Sequence, residues 1–473
     1  MSTKCVMKVI SCPGILFINI MISISVCNGQ PVNATGKSSG NNTLVKLITI
    51  DPGHFHAALV QKEMYPGIDP VVHVYAPAGP ELQAHLNLIK QYNERKESST
   101  RWIEQVYTGH DYLDKMLAEK KGNVVVIAGN NRRKTEYIKK AVDAGLNVLG
   151  DKPMAINYND FKILQQSFAE ARKKNLLLYD IMTERSEITN ILQKELAQIP
   201  EVFGELEKGT SDNPAVVLES IHFFYKYVSG KTLTRPDWFF DSLQQGEALT
   251  DVGTHLIDLV QWECFPEKII DYKKDIKILS SKTWETPLTL SQFSLITKKS
   301  IFPAFLKQYV KNDSILQTHA NGEINYVLKN INVRITARWD YKAPEGGGDT
   351  HYSMLKGTKA ALEIRQGKEE DFQPALYIIP ASQNRETEYS SVLKKAFEKL
   401  NASYPGVGIE KNIKGWKVII PQKYKVGHEA HFGQVMQRYL QYLKEGKLPD
   451  WEVPNMIAKY YTSARALEMA IKD

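Results

Sequence analysis

The sequence predicts an α/β protein with two domains, an N-terminal doubly wound parallel sheet and a C-terminal α+β domain whose sheet is open and mostly antiparallel. Three observations support this. The chain of 473 residues is too long for one ordinary core. Strand-like and helix-like runs alternate over 44–178. From residue 179 onward, strand-like runs follow one another with few helices between them.

The first residues have the character of an export signal. Lys4 and Lys8 precede the uncharged run "VISCPGILFINIMISISVC", and a polar segment follows it. We therefore expect a signal peptide over 1–30, a flexible tether over 31–43 and a periplasmic location. An uncleaved membrane anchor and a lipid-modified Cys27, as in a lipoprotein, are the alternatives.

Composition excludes several classes of protein. The net charge of +7 comes from 60 basic and 53 acidic residues spread along the chain, so no basic patch indicates nucleic-acid binding. Three of the four cysteines lie in the leader and only Cys264 lies beyond it, which leaves neither a disulfide framework nor a cysteine metal site. The sequence predicts no metal centre.

The segment 44–178 has the pattern of a nucleotide-binding sheet. Its strand-like runs "LVKLITI", "PVVHVYA", "NVVVIAG" and "LNVLG" are apolar and rich in β-branched residues, as buried parallel strands require. In such sheets ligands bind beyond the carboxyl ends of the strands. The segment 179–426 is the expected α+β domain, and amphipathic helices are expected over 427–473.

The turn after the first strand departs from the G-x-G-x-x-G pattern of dinucleotide-binding turns. Asp51, Gly53 and His56 stand where three glycines are expected, and no acid follows the second strand to hold ribose hydroxyls. His54 and His56 offer hydrogen-bond donors to a phosphate. A turn merely capped by these side chains, without any ligand, explains the motif about equally well.

Two further strand ends carry candidate polar residues. Asn130 and Asn131 follow the fourth strand, where they either contact a ribose or form an ordinary turn. In "GDKP", Pro153 keeps Lys152 extended, so that its ammonium is presented stiffly at the sheet edge. A merely solvated lysine is the alternative.

In "GEALTDVGTHLIDLVQW", Asp251 and His255 are four residues apart, so a helix places them on one face. A histidine beside a carboxylate is a simple general base, although a helix histidine with no catalytic role is the commoner case.

Two other polar features are expected to have structural roles. His428 and His431 are expected on a helix surface. The loop "EGGGDTHYS", 345–353, is expected to be a hairpin turn or the border of a pocket.

Together, "DKP" after the fifth strand and "GEALTDVGTHLIDL" resemble the paired motifs of the Gfo/Idh/MocA oxidoreductases. The resemblance covers the chain from Leu44 onward and implies a Rossmann-like NAD(P)-binding domain over 44–178, with the helices over 427–473 packing back on it. It implies that Lys152, Asp251 and His255 are catalytic. The residues that would contact NAD or NADP are Gly53, His54, Phe55, His56, Asn130, Asn131, Asp151 and Lys152.

The same resemblance implies a small carbohydrate substrate and, as in many members, a homo-oligomer. Glu184, Arg185, Arg235 and Trp238 are the expected sugar contacts. The expected reaction is hydride transfer between a secondary hydroxyl of a sugar, cyclitol or glycoside and the nicotinamide. Two alternatives remain: cleavage of a glycoside by oxidation, elimination and re-reduction, and sugar binding by a relative without cofactor. Extra length around 300–330 and 365–425 is expected to shape substrate choice or assembly.

Overall fold

The structure is a computed structural model, and it describes residues 44–228, 231–382 and 386–472. The expected signal peptide and tether lie outside the described residues. Within the described ranges, no helix combines the length and apolar character needed to cross a bilayer.

The first part of the described chain alternates strands and helices. In chain order its elements are β1 (Leu47–Ile50), α1 (His56–Leu59), β2 (Val71–Tyr75), α2 (Pro80–Glu94), β3 (Ile103–Tyr107), α3 (Tyr112–Glu119), β4 (Val124–Ile127), α4 (Lys134–Asp143), β5 (Asn147–Asp151), α5 (Tyr158–Lys173), β6 (Leu178–Ile181) and α6 (Ile188–Ala197).

The six strands form one parallel sheet in the order β3-β2-β1-β4-β5-β6. β1 and β4 are buried along their whole length, because helices cover both faces and water reaches neither. Their sequences, "LITI" and "VVVI", have the continuous apolar character that this burial requires. The strand order reverses between β1 and β4, which places a crevice at their carboxyl ends.

The second part contains a larger sheet. Its elements are β7 (Val216–Tyr225), β8 (Tyr227–Val228), β9 (Lys231–Thr232), α7 (Ser242–Gln245), α8 (Val252–Cys264), β10 (Ile276–Thr289), α9 (Leu290–Thr297), β11 (Val310–Lys311), β12 (Ile315–Leu328), β13 (Ile331–Lys342), β14 (Thr350–Lys356), β15 (Ala360–Gln366), β16 (Ala375–Pro380), α10 (Glu386–Ser403), β17 (Gly408–Asn412), β18 (Gly415–Ile419), α11 (His428–Glu445) and α12 (Glu452–Lys472).

This ten-stranded sheet runs β10-β12-β13-β7-β14-β15-β16-β18-β17, with β11 paired to β12. Among the described strands of this sheet, only the β13–β7 pair is parallel, so the predicted open and mostly antiparallel sheet is confirmed. The segment 300–330 supplies β11 and β12. The segment 365–425 supplies β16, α10, β17 and β18, which lengthen one edge of the sheet.

The last two helices join the two sheets. In α11, Phe432, Met436 and Tyr439 enter the apolar core of the first sheet, and Tyr179 of β6 stacks on Tyr439 with ring centroids 6.1 Å apart. α12 packs against α5, α8 and β10. His431 was expected on a helix surface, but it is buried, because this face of α11 lies against the first sheet.

Candidate active site

The carboxyl ends of β1 and β4 approach each other closely. A Cβ on Gly129 would lie 2.3 Å from the carbonyl oxygen of Asp51, so only glycine fits there. A Cβ on Gly53 would lie 3.3 Å from the backbone nitrogen of Asn130. The middle position of the turn after β1 therefore leaves little room for a side chain, even though the flanking positions of the motif have changed.

Lys152 and Asp251 form an ion pair between the two lobes of the structure. The first lobe contains the six-stranded parallel sheet, and the second contains the ten-stranded sheet. Lys152 directly follows β5, Asp251 is the N-cap of α8, and Nζ lies 2.6 Å from Oδ1. The other oxygen of Asp251 accepts a bond from Nε2 of Gln245 at 3.0 Å. Burial opposes both charges, but each partner outweighs it, so the pKa of Lys152 is raised and that of Asp251 is lowered. Both groups are charged at neutral pH.

His255 lies one helical turn beyond Asp251. Its Nδ1 is buried and has no hydrogen-bond partner among the described residues. Burial, followed by the nearby charge of Lys152, holds the pKa of His255 well below its ordinary value. The imidazole is therefore neutral at physiological pH, which is the form that can accept a proton.

Two histidines of the turn after β1 meet the end of β5. Nδ1 of His56 lies 3.0 Å from Oδ2 of Asp151, and Nδ1 of His54 lies 3.8 Å from the same oxygen. The ligand atoms of these three residues lie within 4.8 Å of one another, a spacing compatible with a metal ion. The ammonium groups of Lys134 and Lys152 lie close by and disfavour a further cation there.

Lys134 is a site residue that the sequence analysis missed. It is buried, and its Nζ donates to the carbonyl oxygens of Asp151 at 2.9 Å and Lys152 at 3.4 Å. Burial lowers the pKa of Lys134 to about 8. It fixes the backbone that carries the catalytic candidate Lys152. A lysine in the first turn of a helix after a strand was the only signal available.

A cavity of about 470 Å³ opens beside the turns after β1, β2 and β4. Among its lining residues are Gly53, Asn130, Arg132, Arg133 and Glu81. Two guanidinium groups suit a pyrophosphate. Glu81, in the first turn of α2, supplies a carboxylate shortly after β2. An acidic residue that holds the ribose hydroxyls is expected at the end of β2, and the sequence has none there. The donor set and the close backbone approach at Gly53 fit a dinucleotide.

Two protein-family models match this chain. The family model described as "Oxidoreductase family, NAD-binding Rossmann fold" matches residues 57–179. The model described as "Putative oxidoreductase C terminal domain" matches residues 192–471, more than half of the chain. The chain belongs to the Gfo/Idh/MocA oxidoreductase family. The first match begins after the altered turn, which agrees with that turn being the divergent part.

Solved structures are also similar to this chain. A "putative oxidoreductase" from Parabacteroides merdae is 55% identical, covers 91% of this chain and 98% of its own, and superposes with a TM-score of 0.89. Levoglucosan dehydrogenase in complex with NADH is 13% identical over 90% and 97% of the two chains, with a TM-score of 0.56. GenD2 from gentamicin A biosynthesis, in complex with NAD, is 16% identical over 90% and 94%, with a TM-score of 0.54. No curated protein matches the sequence.

The last two similarities show the shared fold alone, because their identities are low. Membership of the Gfo/Idh/MocA family establishes that the chain is an oxidoreductase with a nicotinamide dinucleotide as cofactor. The expected Rossmann-like domain is thereby confirmed.

In this Gfo/Idh/MocA chain the two asparagines after β4 connect the lobes. Nδ2 of Asn130 donates to Oε1 of Gln244 at 2.8 Å, and Nδ2 of Asn131 donates to the carbonyl oxygen of Gln245 at 2.7 Å. Asn130 also lines the large cavity. Asn131 is buried and is bound to α7, so the structure gives it a role in lobe docking rather than the expected cofactor contact.

Arg185 was expected to contact substrate, and the structure places it elsewhere. Its guanidinium is buried and makes two bonds of 2.7 Å to Asp258 and two, of 2.9 and 3.1 Å, to Glu452. Lys459 of α12 extends this network by bridging Asp258 at 2.8 Å and Asp180 of β6 at 2.7 Å. Arg185 therefore joins β6, α8 and α12 and has no exposed donor group for a sugar.

Glu184, its neighbour, is half-buried. Burial, followed by the nearby charge of Glu187, raises the pKa of Glu184 to about 7, and the ammonium of Lys152 acts in the opposite sense. Lys152 is thus close enough to affect this carboxyl group. Glu184 remains a candidate substrate contact.

Arg235 and Trp238 are both buried. Arg235 donates to the carbonyl oxygens of Phe224 at 3.1 Å and Phe223 at 3.2 Å, and its guanidinium lies 4.8 Å from the ring centroid of Trp339. This corrects its expected sugar contact, because the group is enclosed by backbone and aromatic rings.

Trp238 lines the large cavity together with Gly53, on the side where the cofactor residues lie. The exposed Phe55 forms ring contacts with His54 and His56.

Proposed function

We propose that this chain transfers hydride between a secondary hydroxyl of a sugar, cyclitol or glycoside and a nicotinamide dinucleotide. One observation carries the proposal. The buried ion pair of Lys152 and Asp251 brings a fixed ammonium from the first lobe to the start of the helix that presents His255. Three groups of this kind suit an alcohol that loses a proton and a hydride together.

Each residue has a distinct part. The neutral imidazole of His255 accepts the hydroxyl proton. The ammonium of Lys152 donates a hydrogen bond to the same oxygen and stabilises the negative charge that develops on it. Asp251 keeps Lys152 charged and in place. When bound, the nicotinamide supplies the hydride acceptor. Closure of the site by the two lobes keeps water away from the reacting carbon.

The cavity also supports a choice of cofactor. Glu81 offers a carboxylate, which accepts hydrogen bonds from free ribose hydroxyls and repels a ribose 2′-phosphate. We infer that the chain uses NAD rather than NADP. Arg132 and Arg133 then balance the charge of the pyrophosphate.

The test is reduction of added NAD by purified protein with a panel of sugars and methyl glycosides. The proposal expects NADH formation with at least one of them. It expects a loss of roughly a hundredfold or more in Lys152→Met and His255→Gln. Lys139→Met, at a partly exposed residue of α4, serves as the matched control. Failure of every sugar to reduce NAD, or full activity in both site variants, would reject the proposal.

We also propose that the protein is exported to the periplasm and assembles as a homo-oligomer. The basic and apolar character of residues 1–30 supports export. Cell fractionation and light scattering of the purified protein test these two points separately. Recovery in the cytoplasm contradicts the first, and a monomeric mass contradicts the second.

A further inference from the structure

A second polar cluster lies on β7, outside the residues described above. Nδ1 of His222 lies 3.1 Å from Oδ2 of Asp349, and Nε2 of His222 lies 3.0 Å from Oγ of Ser220. Asp349 belongs to the glycine-rich loop before β14, 127 residues away in sequence. Lys226 donates to the same carboxylate at 2.5 Å, and the backbone nitrogen of Phe223 donates to its other oxygen at 3.3 Å.

These contacts determine which nitrogen of His222 is free to act. A carboxylate only accepts, so the hydrogen of the neutral imidazole lies on Nδ1, and Nε2 carries the lone pair. Burial opposes the charge of Asp349, but His222 and Lys226 outweigh it and lower its pKa. The ionised Asp349 therefore orients the ring through this hydrogen bond. The hydroxyl of Ser220 is the group that a substrate would displace from Nε2.

The cluster lies close to Asp251, at the start of the helix that carries His255. His222 stacks on Trp339 with ring centroids 4.9 Å apart. Trp339 and Asp251 line one small cavity of about 20 Å³. His222 is also close enough for its charge to lower the pKa of Asp251. Its side chain is 26% exposed, so a ligand can reach it.

We propose that His222 is a second proton-transfer residue, which removes a proton from the carbon next to the oxidised carbon of the substrate. This inference rests on the proposed function, because only the ketone makes that proton acidic. The C–H bond breaks, its proton passes to Nε2, and its electron pair forms an enolate whose oxygen is stabilised by Lys152. Asp349 is the positioning residue.

The step gives the site a capacity that alcohol oxidation alone does not need. Where the carbon on the far side of the deprotonated one, two bonds from the ketone carbon, carries an alkoxy group, the enolate pair forms a carbon–carbon double bond to that carbon, and the C–O bond of the alkoxy group breaks. The proton held by His222 passes to the departing oxygen, which leaves as an alcohol, and an unsaturated ketone remains. Addition of water to the double bond and return of the hydride complete a redox-neutral cleavage of a glycoside.

The experiment is hydrogen exchange in deuterium oxide. Purified protein is incubated with NAD and the methyl glucopyranosides, NADH is followed by absorbance, and deuterium in the recovered sugar is located by NMR. We expect deuterium at the carbon adjacent to the oxidised one. His222→Gln should still form NADH but lose exchange by roughly a hundredfold or more.

Asp349→Asn distinguishes positioning from structure. It keeps the shape of the side chain but removes the charge that orients His222, so the rate of exchange should fall while NADH formation and the thermal midpoint stay unchanged. Exposed His110→Gln is the control, and thermal midpoints show that each variant is folded. NADH formation without deuterium uptake, or equal uptake in His222→Gln, overturns the inference alone. Absence of both NADH formation and deuterium uptake with every sugar of the panel overturns the proposed function, and this inference with it.

Discussion

Nζ of Lys152 lies 2.6 Å from Oδ1 of Asp251, and this ion pair joins the end of β5 to the N-cap of α8. Only 14% and 7% of the two side chains are exposed. Neither charge is therefore well hydrated, and each depends on the other. The pair combines a structural contact between the lobes with the chemistry proposed for the substrate oxygen.

The first prediction concerns the energetic coupling of this pair. Lys152→Met leaves the carboxylate of Asp251 buried without its cation and should lower the free energy of unfolding by about 3 kcal/mol. Adding Asp251→Asn removes the unpaired charge and should recover much of that loss without restoring turnover. Denaturant unfolding and NAD reduction check the two parts. A double variant as unstable as Lys152→Met contradicts the coupling.

A second prediction separates a structural role for Arg185 from a role in substrate binding. Arg185→Met leaves Asp258 and Glu452 buried with fewer cations, so it should lower stability by about 3–5 kcal/mol. Arg185→Lys should be intermediate, because an ammonium cannot reproduce the paired bonds to Asp258. Thermal unfolding gives the order. An Arg185→Met protein of normal stability with a raised KM for sugar would restore the substrate role.

The turn after β1 gives a third prediction. Asp51 has φ of 44° and accepts a bond from the hydroxyl of Tyr137 at 2.7 Å. Asp51→Gly loses that bond but relieves about 1–2 kcal/mol of left-handed strain. It also removes a negative charge from the wall of the cavity. The Kd for NAD, measured by calorimetry, should not rise. A tenfold weaker Kd, absent in Asp51→Asn, would show that the backbone at this position needs the larger residue.

Glu81 gives a fourth prediction, on cofactor choice. Glu81→Gln keeps the size of the side chain but removes the charge proposed to favour free ribose hydroxyls. NAD should bind more weakly by roughly 1–2 kcal/mol, and the preference for NAD over NADP should decrease. Glu63→Gln, outside the cavity lining, is the control. An unchanged ratio of the two Kd values contradicts this role.

The parallel sheet was predictable because burial on both faces leaves a local mark. "VVVI" in β4 has no polar position, and apolar runs of that kind recur at βαβ spacing. The pairing of Lys152 with Asp251 was implied only by the two family motifs, since 99 residues separate them. The two motifs indicate that both residues lie near the cleft, but they do not determine how far the ammonium of Lys152 lies from the carboxylate of Asp251.

The errors have a common physical cause. Arg185 and Arg235 are arginines near cleft segments, and nothing local distinguishes a guanidinium that faces substrate from one enclosed by the protein. The partners that settle the question for Arg185, Asp258 and Glu452, lie 73 and 267 residues away. The contact between His222 and Asp349 was invisible for the same reason, although the loop carrying Asp349 had been noted as a candidate pocket border.

The last prediction concerns acid stability and His431. This residue is 3% exposed, and burial lowers its pKa to about 4, below its ordinary 6.5. The unfolded chain therefore binds the proton more readily than the folded one between pH 6.5 and about 4. The stability gained from the neutral form is present above pH 6.5 and is lost as pH falls toward 4.

His431→Gln removes that titration, so the advantage of the unsubstituted protein over the variant should shrink on acidification. The expected change is about 1.4 kcal/mol per pH unit, or roughly 3 kcal/mol over the whole window. Urea unfolding at a series of pH values measures the difference, with exposed His110→Gln as the control. Comparing each variant with the parent protein cancels the other buried groups that titrate in this range, including Glu184, whose raised pKa acts in the opposite sense. A difference independent of pH would mean that His431 is no harder to protonate in the folded protein than in the unfolded chain.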